Sequence, residues 1–283
     1  MGKNEAADSA DPWIEPLDFT AFAVKTTGLV VAETKLTIDE YMLHAAFYKA
    51  SSSRLLLLVA LTKHEVALFR KFEGSFAGVT MAFQQPGMRR PLRIFARCTI
   101  TRIAEMTKRE GISMLETEIK PIPDDYRRIL EEYRTLLSCL KDDYERYANQ
   151  SIRMAPQFAR LLGFNNHAVL HAYGNRFELA VVSIASNHLE FLLQSAPPDI
   201  APGNENSIRL FFQAHQFFVH GKSTKVDQVS PGVVHVETDL DFSPELMDIF
   251  ATYRQQAHML AMSGEGASNA AMDPHSDTDS PES

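Results

Sequence analysis

The stretch Val234–Arg254, VHVETDLDFSPELMDIFATYR, is nearly repeated earlier in the chain, where Met114–Arg134 reads MLETEIKPIPDDYRRILEEYR. In both segments an alternating apolar run containing Glu-Thr-acid-aliphatic predicts a strand. A proline followed by acidic residues then predicts the start of a helix. Two copies of the same strand–helix ending indicate that the chain contains two copies of one domain.

The similarity extends upstream of these two endings. Ile94–Ile103 aligns with Phe217–Val226, and both segments predict a strand with β-branched and basic residues. Ser53–Phe69 aligns with Asn175–Leu193, and both predict two strands joined by a short polar break. Because the offset stays between 121 and 123 residues, we interpret the pattern as a tandem duplication.

The spacing of the strands predicts the fold class. Short strands separated by turn residues, without alternating helices, are typical of small antiparallel barrels or sandwiches. We expect a mainly β protein with some α, built from two tandem small barrels or sandwiches of five or six short strands, each followed by a C-terminal helix. The expected divisions are a loose acidic N-terminus at 1–26, the first barrel with a long linker helix at 27–149, the second barrel with its helix at 150–262, and a disordered acidic tail at 263–283.

The helix predicted after Pro123 carries apolar residues at alternating steps of four and three. This heptad spacing fits packing on the helix's own barrel, and it also fits association with a second copy of the chain. We expect a homodimer through helix 123–148 as one use of this seam. Its positions are Tyr126, Leu130, Tyr133, Leu137, Leu140 and Tyr144.

The composition is that of a globular protein, with 45% hydrophobic and 23% charged residues. No apolar run reaches the roughly 20 residues that span a bilayer, and the N-terminus has no hydrophobic signal segment. Two cysteines without a metal-binding spacing favour a reducing, cytoplasmic location. The net charge of −8 comes from the ends, because 1–20 and 264–283 together hold ten acidic residues and one lysine.

The motifs that mark common enzyme classes are missing from the sequence. It has no nucleophile elbow, no phosphate-binding glycine loop and no dinucleotide fingerprint. His167 and His171 are four residues apart, but no acidic or cysteine residue nearby completes a metal site. We therefore expect a non-enzymatic protein without metal or cofactor. An enzyme with a site assembled from scattered residues is an alternative.

The segment 51–110 holds eleven Lys and Arg residues against four acidic residues. Such a bias fits a solvated strand face with arginines at alternate positions, and it also fits a surface that binds nucleic acid or anionic lipid. A lack of exposed interleaved aromatic residues around Arg89–Arg97 argues against single-stranded nucleic acid. Nucleic acid is therefore not the expected partner.

The pattern of the repeats resembles the PilZ domain. The residues that carry the resemblance are Val181–Phe191 (VVSIASNHLEF), Phe217–Val226 (FFVHGKSTKV) and Val233–Arg254 (VVHVETDLDFSPELMDIFATYR), with weaker counterparts in the first copy. The similarity covers residues 27–134 and 150–260. It implies that the chain folds as two tandem six-stranded antiparallel barrels, each followed by a C-terminal helix, and that it binds the bacterial second messenger cyclic di-GMP.

PilZ domains bind their ligand with an RxxxR segment before the first strand and a [D/N]xSxxG motif within the barrel. The resemblance places Ser183, Ala185 and His188 at the Asp/Asn, Ser and Gly of the second motif. Upstream of the second copy, Arg153 and Arg160 are seven residues apart instead of four. Both motifs are therefore degenerate, and we expect cyclic di-GMP binding to be weak or absent.

In the first copy the alignment puts the second motif near Leu61, Lys63 and Glu65, which depart from it further. The candidate ligand-binding residues implied by the resemblance are Arg153, Arg160, Arg176, Ser183, Ser186 and Asn187. The expected function is that of a bacterial regulatory module that acts through a protein partner in motility or surface behaviour.

Overall fold

The structure is a computed structural model that describes residues 16–106, 109–148, 150–172, 174–194, 200–213 and 215–262. The chain divides into two compact units, one ending at Ser138 and the other beginning at Cys139. The expected acidic tail at 263–283 and residues 1–15 of the expected loose N-terminus lie outside the described residues.

The first unit is a closed antiparallel barrel. Its elements in chain order are β1 (Leu17–Asp18), α1 (Ala21–Thr27), β2 (Lys35–Ile38), β3 (Tyr41–Ala50), β4 (Arg54–Ala60), α2 (Lys63–Phe69), β5 (Phe76–Phe83), β6 (Leu92–Glu105), β7 (Ile112–Ile119) and α3 (Asp124–Arg146). Six strands follow the order β3-β2-β5-β6-β7-β4, and pairing of β4 with β3 closes the ring. The short β1 strand adds to the other side of β3.

The second unit has the same architecture. Its elements are β8 (Ile152–Arg153), α4 (Pro156–Leu162), β9 (Phe164–Ala172), β10 (Asn175–Ile184), β11 (His188–Gln194), β12 (Glu205–Phe212), β13 (His215–Ser230), β14 (Val233–Leu240) and α5 (Pro244–Met262). Six strands follow the order β9-β12-β13-β14-β11-β10, and pairing of β10 with β9 closes the ring. The predicted fold class, two tandem six-stranded antiparallel barrels each followed by a helix, is confirmed.

Each barrel is filled by alternate residues of its strands. In β4, Leu55, Leu57 and Val59 are buried, while the residues between them are partly exposed. In β7 the buried partners include Leu115 and Ile119. Since side chains alternate across a strand, this pattern directs one face of each strand into a common apolar core.

The strand register shows that the two barrels are copies of each other. In the first barrel Glu118 of β7 lies opposite Arg54 of β4, and in the second Asp239 of β14 lies opposite His188 of β11. Pairing of β6 with β7 and of β13 with β14 follows the same register, including an irregularity at the same place. The predicted offsets of 121 residues for the last strand and 123 for the strand before it therefore hold.

One part of the repeat alignment was wrong. Arg54 corresponds to His188 at the start of β11 and not to Arg176, which lies one strand earlier, in β10. The predicted second strand after Ala60 is instead the helix α2. Thr62 and Glu65 form a reciprocal capping box at its start. The apolar run that follows is too short for its periodicity to distinguish a helix from a strand, and the capping box favours the helix.

The heptad seam of α3 is occupied within the chain. The Tyr126 hydroxyl donates to the Ser51 carbonyl at 3.0 Å, and the Tyr133 ring lies 6.3 Å from that of Phe22. Leu130 and Leu140 are also buried, whereas the seam positions Leu137 and Tyr144 are half-buried. The spacing is therefore explained by packing of the helix on its own chain, and the predicted homodimer through helix 123–148 has no support in the structure.

The expected boundaries also need correction. Residues 17–26, assigned to the loose N-terminus, contain β1 and all of α1 except its last residue, and the side chains of Leu17, Phe19 and Phe22 are buried. These three apolar residues explain why an acidic segment nevertheless packs. The first unit ends at Ser138 and not at residue 149, because the last turns of α3 make contacts such as the Tyr144–Leu240 hydrogen bond within the second unit.

Candidate functional site

The short strand β8 brings the upstream arginine to the turn of the second barrel. Arg153 pairs with Ser183 near the end of β10, and Ile152 pairs with Ile184. The Met154 N–H donates to the Val182 carbonyl at 2.9 Å and continues this contact. Two of the sequence-predicted residues, Arg153 and Ser183, are therefore neighbours on adjacent strands.

A β-bulge at Val182 shapes this part of β10. The ladder with β11 shifts its register between Val181 and Ser183, and the first barrel shows the same shift at Tyr48 in β3. A bulge places an extra residue in one strand and re-aims the side chains that follow it. The feature belongs to the duplicated architecture, so what differs between the two copies is the chemistry of the side chains beside it.

The turn between β10 and β11 is held by backbone and side-chain hydrogen bonds. The Ala185 N–H donates to the His188 carbonyl at 2.7 Å, and the Leu240 N–H donates to the Asn187 carbonyl at 2.8 Å. The Ser186 hydroxyl donates to the Tyr144 carbonyl at 3.0 Å and is buried. Ser186 therefore has a structural partner, and its predicted role in ligand binding is not supported by its geometry.

Two buried oxygen atoms beside this turn have no hydrogen-bond partner within the described part of the chain. They are Ser183 Oγ and Asn187 Oδ1. Leaving a buried polar atom without a partner costs about 1–3 kcal/mol, so such groups in native proteins call for water or a ligand. The exposed Arg153 lies next to one of them in the sheet.

The remaining two arginines lie in different places. Arg160 is exposed on α4, seven residues after Arg153 in the chain. Its Nε lies 3.4 Å from the Pro156 carbonyl. Arg176 pairs with His171 at the other end of β10. Seven residues of strand separate it from Ser183, which corresponds to about 23 Å. This separation places Arg176 apart from Arg153 and Ser183, so the structure does not bring it into the candidate site.

The equivalent place in the first barrel has different chemistry. Asp18 of β1 occupies the position of Arg153, and Lys49 of β3 occupies that of Ser183, with 3.1 Å between Lys49 Nζ and the Asp18 carboxylate. The turn itself runs from Ser51 to Arg54, and the Arg54 guanidinium pairs with Glu116 at 2.8 Å. An acidic residue thus replaces the arginine, and it forms a surface ion pair with Lys49, which stands at the position of Ser183.

The predicted location of the second motif in the first copy was therefore wrong. Leu61, Lys63 and Glu65 lie at the start of α2, beyond the end of β4, and not in the turn before it. The side chain of Glu65 caps this helix, and its hydrogen bond with the Thr62 backbone N–H lowers the pKa of the carboxyl group. These residues serve a local helix start.

Tyr144 supports the turn of the second barrel as a neutral donor. Its hydroxyl donates to the Leu240 carbonyl at 2.7 Å, and its ring lies 5.7 Å from that of Phe242. Burial, followed by the nearby carboxylates Asp241 and Asp239, raises the pKa of this phenol. The hydroxyl therefore keeps its proton at neutral pH and continues to hold the end of β14.

The two cysteines differ in burial, which gives a first testable prediction. Cys98 is buried in β6, and burial raises the pKa of its thiol to about 11, whereas Cys139 is exposed on α3. Because the thiolate is the reactive form, we expect a thiol reagent at pH 8 to label one cysteine per folded chain. Mass spectrometry of the labelled peptides should find the adduct on Cys139. Equal labelling of Cys98 in the folded protein would contradict the buried position.

Within residues 16–262, apart from the undescribed gaps, no three His, Cys, Asp or Glu side chains converge to hold a metal ion. Over the same part of the chain, every helix is too short or too polar to cross a membrane.

Comparison with known proteins gives weak similarities. No family model and no curated protein matches the sequence. Among solved structures, the chain is similar to the Borreliella burgdorferi PlzA protein in complex with c-di-GMP, with 12% identity, a TM-score of 0.42, and 86% of this chain and 94% of that chain covered. It is also similar to the PilZ domain of Escherichia coli YcgR with c-di-GMP, at 11% identity and a TM-score of 0.29 over 39% of this chain and 94% of that chain.

A third similar structure is the Bacillus subtilis inhibitor of motility MotI/DgrA, at 9% identity and a TM-score of 0.27, with 82% of this chain and 99% of that chain covered. At these identities and TM-scores the likeness carries no argument about this chain. The fold described above rests on the strand pairing of the chain itself.

Proposed function

We propose that the chain is a non-enzymatic, cytoplasmic regulatory protein whose second barrel binds a cyclic dinucleotide between β8 and the β10–β11 turn. Cyclic di-GMP is the ligand of this class that the PilZ resemblance suggests. The first barrel would not bind the cyclic dinucleotide and would instead contact a protein partner. The motility and surface behaviour of a bacterium are the processes in which such a module would act.

The observation that carries the proposal is the pairing of Arg153 with Ser183 beside two buried oxygen atoms that lack partners. A guanidinium group presents several N–H donors in a fork that matches a phosphate. Ser183 Oγ and Asn187 Oδ1 offer hydrogen-bonding atoms for the polar edge of a base. A phosphate and a base edge side by side are what a cyclic dinucleotide presents.

The side chains at the turn also explain why the affinity would be modest. His188 stands where the family motif has glycine, and its ring lies 3.3 Å from the Asp239 carboxylate. An imidazole occupies space that a glycine leaves open to a ligand backbone or base. Ser183 replaces an acid or amide and can make fewer hydrogen bonds. We therefore infer binding through a reduced set of contacts.

The first barrel lacks the charge that the proposal requires. At the position of Arg153 it has Asp18, whose carboxylate would repel a phosphate, and Lys49 is paired with that carboxylate. This difference supports the proposal that the second barrel binds the ligand and that the first barrel contacts a protein partner.

Calorimetric titration with cyclic di-GMP tests the proposal. For the full chain we expect a Kd of about 10 μM or weaker, corresponding to about −7 kcal/mol. Arg153→Ala should weaken binding at least tenfold, since hydrogen bonds to charged groups contribute about 1.5–3 kcal/mol. Arg176→Ala, an exposed arginine at the far end of the same strand, is the matched control and should leave the Kd unchanged.

Three results would contradict the proposal. Submicromolar affinity would show that the altered motif residues do not weaken binding. The absence of any binding heat at millimolar cyclic di-GMP would show that the second barrel has no such site. If Arg176→Ala weakened binding as much as Arg153→Ala, the ligand would have to bind elsewhere on the barrel.

A further inference from the structure

An exposed phenylalanine occurs at the same position on the outside of both barrels. Phe95 of β6 lies opposite Thr80 of β5, and Phe218 of β13 lies opposite Arg209 of β12. Register therefore makes Phe95 and Phe218 equivalent. Their side chains are 64% and 44% exposed. Because an exposed aromatic ring contributes little to a barrel core, its presence in both copies points to a shared role at the surface.

In the first barrel the ring of Phe95 lies over a glycine. A Cβ atom at Gly78 would lie 2.6 Å from the ring of Phe95, so the ring occupies the space above this glycine. Phe76, two residues earlier on the same face, is 78% exposed. An open groove of about 400 Å³ runs over Gly78, and its other lining residues include Thr37, Phe76, Phe95 and Arg97.

Basic side chains flank this groove. Arg97 is exposed in β6, two residues after Phe95 and on the same face. Arg93, two residues before it, is also exposed and pairs with Glu33 at 2.8 Å. The sequence pattern predicts no exposed aromatic residue among these arginines. The exposed ring of Phe95 shows that this prediction is wrong.

In the second barrel the equivalent face is a continuous layer of planar groups. The Arg209 guanidinium lies 5.1 Å from the ring centroid of Phe211 and 5.8 Å from that of Phe218. The rings of His171 and His220 lie 5.2 Å and 6.5 Å from Phe218, and the His220 ring is nearly parallel to it, at 15°. Planar rings held beside a guanidinium form a surface on which further planar rings can stack.

From these observations we infer that the outer faces around Phe95 and Phe218 bind single-stranded nucleic acid. Bases stack on the two phenylalanine rings, and phosphates contact Arg97 in the first barrel and Arg209 in the second. Stacking on aromatic side chains beside cationic groups is how proteins bind single strands without reading their sequence. A duplex keeps its bases stacked inside and cannot offer their faces to rings on an open sheet. The inference is independent of the cyclic dinucleotide site.

Fluorescence anisotropy of a labelled 20-nucleotide oligo-dT tests this inference with the full chain. At low salt we expect saturable binding that weakens as salt is added, and weaker binding of the matching duplex. Phe218→Ala and Phe95→Ala should each reduce the affinity for the single strand about tenfold, the size expected for losing one stacked base. Arg97→Gln and Arg209→Gln should each lower the slope of log affinity against log salt by about 0.7.

Matched controls separate stacking from general damage. Tyr48→Ala removes another exposed aromatic residue of the first barrel, and Val229→Ala removes an exposed apolar side chain of β13. Both should leave the affinity unchanged. Phe218 covers no glycine, so Phe218→Ala tests the inference even if Phe95→Ala disturbs Gly78 and shifts the unfolding midpoint.

The inference is overturned if the oligonucleotide does not bind at 20 mM salt, a condition that favours phosphate contacts. Equal affinity for the duplex would likewise overturn it, because bases would then not be stacked on the rings. An unchanged affinity in the Phe218→Ala variant with an intact fold would do the same.

Discussion

Replacing Tyr126 by alanine is expected to lower the free energy of unfolding of the first barrel by about 3–5 kcal/mol, the range for removing a large buried aromatic side chain. Tyr126 is completely buried at the start of α3, and its hydroxyl donates to the Ser51 carbonyl at 3.0 Å. The variant therefore loses both a packed ring and a hydrogen bond between the helix and the β3–β4 turn. Urea denaturation followed by circular dichroism measures the change.

Two further variants make the test of Tyr126 specific. Tyr126→Phe keeps the ring and removes only the hydroxyl, so we expect a loss of about 1 kcal/mol. Tyr48→Ala, at a partly exposed tyrosine of β3, should cost less than about 1 kcal/mol. If Tyr126→Ala cost no more than Tyr48→Ala, α3 would not be packed on the first barrel, and the seam would again be available to a second chain.

Tyr126 also gives the stability of the protein a dependence on alkaline pH. Burial raises the pKa of its phenol in the folded state above the ordinary value of 10.0. The unfolded chain therefore loses this proton first, and the stability contributed by the neutral phenol is present below about pH 10 and falls above it. The slope is up to about 1.4 kcal/mol per pH unit. Tyr126→Phe should remove this part of the slope, and an unchanged alkaline profile would contradict it.

Gly221→Ala is expected to destabilise the second barrel by about 3 kcal/mol, because the added methyl group overpacks a closed site. A Cβ atom on Gly221 would meet the Asp239 carbonyl oxygen and the backbone of Leu240. These are backbone atoms of β14 and cannot move aside as a flexible side chain can. Thermal and urea unfolding of the variant would show the loss as a lower midpoint.

The first barrel provides the control for Gly221. Cys98 occupies the equivalent position, because it pairs with Ile119 as Gly221 pairs with Leu240. Its side chain is accommodated there, with Sγ at 3.5 Å from the Ala77 carbonyl. Cys98→Ala should therefore cost only about 1 kcal/mol. If Gly221→Ala were equally mild, β13 and β14 would be further apart than the structure places them.

The last two strands of each barrel could be predicted from sequence because their pattern is long and local. The ETEI and ETDL strands alternate over eight residues and are followed by a proline, so strand, helix start and repeat offset were all readable. The segment after Ala60 was misread as a strand because seven residues do not show whether an apolar run has a period of two or of 3.6. The capping box of Thr62 and Glu65 was the signal that could have identified the helix.

The candidate site was only partly readable for a different reason. Its key neighbours, Arg153 and Ser183, meet because the two-residue strand β8 pairs with β10, and two residues carry no periodicity. Asp18 of the first copy stands at the position of Arg153 of the second. Only the strand register shows this, because it aligns β1 with β8. Arg176 lies at the other end of β10 from Ser183, and the sequence alone does not show where that strand begins and ends.

Hydrogen–deuterium exchange with and without cyclic di-GMP distinguishes a ligand site in the second barrel alone, as we propose, from a site in both barrels. We expect slower exchange on ligand addition in peptides covering 152–160 and 183–188 and no change in the equivalent peptides 17–25 and 49–54. Equal protection of both sets, or protection confined to the first barrel, would contradict it.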